Sequence, residues 1–169
     1  MALPKLTDAQ IDVIIQQVAK YIESQRETYR KKATPLNTNQ KEVMAPFFPQ
    51  SVLDSARVIV LNDERVSNPP FYGELVQIGF PPDSLPDFAE MRAITFVDMI
   101  VSQGPITTQT FFHELVHEVQ YENLGVPDFA AKYVKGFLTG GSYARPCARW
   151  ICSSNPPDGL RKADAACHR

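Results

Sequence analysis

Thr110-Phe111-Phe112-His113-Glu114-Leu115-Val116-His117-Glu118-Val119-Gln120 is the stretch from which the rest of the chain is read. Its centre spells H-E-x-x-H. On an α-helix, positions i and i+4 lie one turn apart on one face. His113 and His117 can therefore reach one metal ion, and Glu114 can act on a water beside it. Helicity is the first requirement. Gly104-Pro105 opens the stretch, Asn123-Leu124-Gly125 and Pro127 close it, and no Pro or Gly interrupts it. Stepping about 100° per residue from His113 puts His117 at about 40°, with Phe111, Phe112, Leu115, Val116 and Val119 between roughly 160° and 300°. The apolar stripe points away from the imidazoles, which predicts that they face a cleft. The plainer alternative is a solvated helix with two ordinary histidines. Against it, two of only three histidines in the chain fall at this spacing, among bulky apolar neighbours.

Working outward, residues 6–32 read as a long amphipathic helix, with Thr7 and Gln10 as a capping box. Ile11, Ile14, Ile15, Val18, Ile22 and Tyr29 trace one face. That face predicts packing on the sheet or on the motif helix; a partner-binding helix is the alternative. Residues 33–49 carry three prolines and predict a loop, with Phe47-Phe48 tucked under the core and a short helical turn next. Residues 57–61, 74–78 and 93–101 read as strands, the last as a strand or a strand running into a turn. Asp98 has two readings, an exposed edge charge or a partner orienting a metal-bound imidazole. Residues 127–138 predict a further helix, with Phe129, Tyr133 and Phe137 every four residues. The class is α+β: a long N-terminal helix, a small twisted sheet of about three strands, the H-E-x-x-H helix and one more helix.

The chain has 169 residues and a net charge of −2, suiting one domain with a real core and no attraction to nucleic acid or membrane. No stretch approaches the roughly 20 apolar residues of a membrane span. The N-terminus lacks a secretory pattern, so the cytoplasm is the expected compartment, with signal-independent export left open. Oligomeric state is not readable. Cys147, Cys152 and Cys167 make an odd number, which argues against a disulfide framework.

Zinc (Zn2+) is the metal that two neutral imidazoles suit, and catalytic zinc takes three protein ligands with one position open. His113 and His117 are the expected ligands and Glu114 the general base; the third ligand is not evident. Glu118 and Glu122 point away on the wheel, and no glutamate follows Glu122. Asp128 is a candidate, although capping the next helix is its simpler role. His168 and the three cysteines are others, but Cys147, Cys152, Cys167 and His168 lack C-x-x-C pairing.

The 111–121 block, with Leu124-Gly125-Val126, Phe129-Ala130, Tyr133-Val134 and Gly140-Gly141-Ser142-Tyr143, resembles a group of bacterial zincin-like proteins with an H-E-L-x-H-x-x-Q block. Most of these are metallopeptidases in name, uncharacterised as to substrate. The likeness covers residues 93–143 well and the earlier strands loosely. It implies a sheet whose edge strand lies above the motif helix, a cleft between them, and a hydrolase acting on a peptide or protein. It also implies a gluzincin-type glutamate after the Gly-Gly-Ser-Tyr stretch, where this chain reads Ala144-Arg145-Pro146-Cys147 instead. The expected layout is thus a single zincin-like domain over 1–143 and a divergent, irregular tail over 144–169. A reading-frame change is one explanation of the tail, tested by the coding DNA. The function expected is zinc-dependent peptide hydrolysis, weakened or lost if the third ligand is missing. The alternative is a non-catalytic module that keeps the fold for binding or delivery.

Overall fold

The computed structural model describes residues 3–140. Helix α1 (Asp8–Arg30) starts as its sequence dictates. The Thr7 hydroxyl accepts from the Gln10 N–H, and the Gln10 side chain accepts from the Thr7 N–H. Ile14, Tyr21, Ile22 and Tyr29 are its buried residues, and Ile11, Ile15 and Val18 pack against the same core. Tyr21 was not expected on that face. Strand β1 (Thr34–Pro35) follows, then α2 (Thr38–Met44), α3 (Gln50–Ser55) and strand β2 (Arg57–Val60). Helix α2 corrects the expectation of a loop over 33–49. Its prolines flank the helix rather than interrupt it, and Asn37 with Gln40 forms a second capping box. Phe48 is buried as expected, whereas Phe47 is partly exposed.

Residues 74–78 were expected as a strand and belong instead to helix α4 (Tyr72–Gln77). Phe71 and Leu75 are buried one turn apart, while Val76 and Ile78 face out. That is helical, not alternating, burial. Gly79, at φ 104°, ends the helix: its N–H bonds Val76 O, and the Phe80 N–H bonds Leu75 O. This is the left-handed glycine stop of a Schellman motif.

Residues 93–101 form not one strand but a hairpin, β3 (Ala93–Phe96) and β4 (Met99–Ser102), turning at Val97-Asp98. The hairpin offsets the strand lost at 74–78, and β1, in the segment expected to be loop, makes a fourth; the order is β1-β2-β4-β3, with β2 and β4 parallel and the outer pairs antiparallel. Asp98 lies in that turn and pairs with Arg26 of α1 at 2.6 and 2.8 Å, so it orients no imidazole. Its long-range partner, 72 residues away, left no mark in the local pattern.

The last helix, α5 (Thr108–Gly140), is broken at Gly125, where φ is 71° and ψ 165°. Thr107 caps its start, accepting from the Thr110 N–H. Alternate residues of the sheet serve two cores. Thr95 and its cross-strand partner Ile100 face the first half of α5. Ile94, Phe96, Met99 and Val101 face α1. Phe111, Leu115 and Val116 join α2 and α3 beneath the sheet, whereas Ala130, Val134 and Phe137 join the α1 core. The break at Gly125 thus carries α5 round the β3 edge from one face of the sheet to the other. Among the described residues no helix is long and apolar enough to cross a membrane.

Candidate metal and catalytic site

The first half of α5 brings the two histidines together. His113 Nε2 and His117 Nε2 are 3.1 Å apart, with the rings at 87° to each other. Two nitrogens bound to one tetrahedral zinc at about 2.0–2.1 Å would stand about 3.3 Å apart. The pair is therefore spaced as ligands of one ion. His117 Nδ1 lies 2.9 Å from Gln120 Oε1. An amide oxygen can only accept, so Nδ1 carries the proton and Nε2 keeps its lone pair forward. Burial lowers the pKa of His113, the neighbouring His117 adding to the effect and Glu114 opposing it; burial also lowers that of His117. Both are held as neutral rings, the form that binds metal.

Glu114 is 4% exposed, and the Thr95 hydroxyl donates to its Oε2 at 2.7 Å. Burial pushes its pKa up against that bond and against the His113 charge. Strand β3 is the sheet edge, and Tyr121 OH reaches Thr95 O at 3.5 Å. The Tyr121 ring stacks on Phe129 at 3.9 Å, and Phe129 meets His117 edge-on at 6.4 Å.

His113, Glu114 and His117 all line one cavity of about 290 Å³. Its other walls are mostly apolar and come from α1, α4, β3 and the second half of α5, among them Tyr21, Phe71, Phe96, Phe129 and Phe137. The predicted cleft in front of the imidazoles is thus present, lined far more heavily by aromatic residues than the helix alone suggested.

Among the described residues no third imidazole, thiol or carboxylate joins the two histidines as a metal-holding group. Asp128 is exposed and does not complete it. Cys147, Cys152, Cys167 and His168 lie outside the described residues, as does the tail over 144–169. Glu118 turns away, as the wheel predicts: it is 1% exposed and accepts from Ser55 Oγ at 2.8 Å. The donor set suits zinc as far as it goes, with two neutral nitrogens, one fixed tautomer and a buried carboxyl.

Sequence reading missed the contacts of Thr95 and Tyr121. Thr95 sits 19 residues before Glu114, and only its place on an edge strand beside the motif helix could have flagged it. Gln120 lies within the motif block, but spacing alone does not show that its side chain turns to His117 Nδ1. Comparison with protein-family models, with curated proteins and with solved structures finds no match.

Proposed function

We propose that the protein is a zinc-dependent metallopeptidase of zincin-like design, with His113 and His117 as metal ligands and Glu114 as general base. The observation that carries this is the convergence of two neutral Nε2 atoms beside a buried carboxyl, all on one cavity. The edge strand β3 alongside the motif helix adds support, being the relation a zincin-like fold implies.

A zinc ion held there would supply Lewis acidity, polarising the scissile carbonyl and acidifying a water. The remaining work falls to the chain. Gln120 keeps the His117 proton on Nδ1 and so fixes the ligand tautomer. Burial holds Glu114 towards its neutral form, opposed by the Thr95 hydrogen bond and by His113, and the positive charge of a bound zinc ion would favour the carboxylate further. As carboxylate, Glu114 takes a proton from the attacking water and returns it to the leaving amine. Thr95 Oγ1 pins Oε2 throughout. The mostly apolar walls exclude bulk water and strengthen each of these charge effects.

Glu114→Gln tests the assignment. It should abolish chelator-sensitive cleavage of a peptide pool while zinc remains bound; cleavage at the parental rate would sink the role given to Glu114. A second reading, a non-catalytic binding or delivery module, is favoured by one observation: two ligands rather than three among the described residues. Purified chain without stoichiometric zinc would select the module.

A further inference from the structure

The cavity in front of the histidines adjoins a second one of about 300 Å³ beside the start of α5. Met91, Arg92 and Thr110 line both. The two differ in character: the first is walled mainly by aromatic and aliphatic side chains, the second by Arg65, Glu90, Gln103 and Thr107 among others. Of the described residues lining the first, Arg92 is the only lysine or arginine. Its backbone is fixed, because Arg92 O accepts from the Gln103 N–H at 2.9 Å. Arg92 as a residue is exposed, and its side chain has no hydrogen bond or ion pair among the described residues. Arg65, by contrast, donates to Gln103 O. Glu90 adds one negative charge to the two arginines there, leaving the second chamber net positive.

A guanidinium presents a planar fork of donors that a carboxylate matches with two parallel hydrogen bonds. We propose that Arg92 is a specificity-determining residue that binds a carboxylate of the substrate, so that the site takes a peptide with a large apolar side chain near a carboxylate. The apolar side chain fills the first cavity, and the carboxylate lies at the boundary with the second. Arg92 stands three residues before Thr95, about 10 Å along an extended strand. An extended peptide covers that span in about three residues. The carboxylate thus lies within a few residues of the bond facing Glu114, either as the chain end or as an acidic side chain. This deepens the peptidase reading and rests on it for which bond is cut, but not for the binding itself.

The test uses metal-free full-length protein, so that no turnover intervenes, and isothermal titration of three peptides. The first is N-acetyl-Gly-Phe-Leu-Ala with a free carboxylate, the second its C-terminal amide, and the third an amide ending in Asp. A carboxylate-bearing peptide should bind about tenfold more tightly than the neutral amide, a difference of about 1.4 kcal/mol. The preference should fall within twofold in Arg92→Gln, persist in part in Arg92→Lys, and weaken with salt. Preference for the free acid identifies the chain end, and preference for the Asp peptide an acidic side chain; both sustain the proposal. Equal binding of all three by the parent, a preference that survives Arg92→Gln, or no binding at all overturns it. Zinc uptake by the same preparation is read separately. Its failure with the carboxylate preference intact removes the peptidase reading alone; the reverse outcome removes only the role of Arg92.

Discussion

Two carboxyls one turn apart on α5, Glu114 and Glu118, are both nearly sealed from solvent, at 4% and 1% exposure, and differ in what lies before them. Glu114 opens onto the histidine cavity and is held by Thr95 of the edge strand. Glu118 meets Ser55 of α3 in the closed core, and its Oε2 has no hydrogen-bond partner among the described residues. Burial raises the pKa of each. An elevated carboxyl pKa therefore does not by itself mark a catalytic group. What sets Glu114 apart is its place on a cavity wall: it lines the histidine cavity, whereas Glu118 lines neither of the two cavities described.

The largest expected effect breaks the pair apart by activity. Glu114→Gln should lower turnover by about 10²–10⁴-fold, the usual worth of a positioned general base. Glu118→Gln should change it less than twofold. Initial rates on a zinc-loaded sample decide this, and equal losses in the two variants would erase the distinction.

Gly125 comes next, because it carries the second half of α5 up to the cavity. Its φ of 71° and ψ of 165° fall in a region only glycine populates readily. Space is not the obstacle, since an added Cβ would meet nothing closer than the Pro127 ring at 3.9 Å. Gly125→Ala should therefore cost about 1–3 kcal/mol through backbone strain, visible as a lower denaturant midpoint. Peptide binding should weaken with it, because Phe129 and Phe137 lie beyond the break.

The third prediction concerns Glu118 alone. Burial pushes its pKa up to about 8, with Ser55 opposing and the negative charges of Asp98 and Glu122 adding. The folded state thus holds a proton that the unfolded chain releases above the ordinary value of 4.5. Stability from this group is full below that value and is lost as pH rises towards about 8. Glu118→Gln should remove the loss and raise stability at pH 8–9 by about 1–2 kcal/mol. A parallel pH dependence in parent and variant would show that Glu118 does not carry it.

What the sequence disclosed follows from the range of the forces involved. The α1 capping box, the H-E-x-x-H spacing and the orientation of its apolar stripe are set within a few residues, and all three are present in the structure. Helix α4 was misread because Leu75, Val76 and Ile78 satisfy either period over so short a run, and only burial of Phe71 and Leu75 separates them. The hairpin was half legible, since Val97 takes φ 64° without the glycine or asparagine that usually announces such a turn. The bonds Thr95–Glu114, Ser55–Glu118 and Arg26–Asp98 join residues 19, 63 and 72 apart. No periodicity encodes them, so the roles of those residues became visible only in three dimensions.

The smallest expected effect concerns the ion pair at the hairpin turn and closes the pH window from the other side. Burial alone would raise the Asp98 pKa, but its bonds and charge attraction to Arg26 outweigh that and hold it below the usual carboxylate range. The unfolded chain therefore takes up a proton before the folded one does. The pair's contribution is full at neutral pH and drains away as pH falls below about 4. Because both side chains remain partly exposed, at 30% and 20%, solvent screening limits that contribution to about 0.5–1 kcal/mol. Asp98→Asn should flatten the acid side of the stability curve and change the slope of the alkaline side, where Glu118 acts, only slightly. Urea midpoints at pH 3, 6 and 9 for the two single variants and the double variant test this. Asp98 adds to the raised pKa of Glu118, so a small non-additivity at pH 9 is expected, with none at pH 3, where Glu118 is protonated in both states.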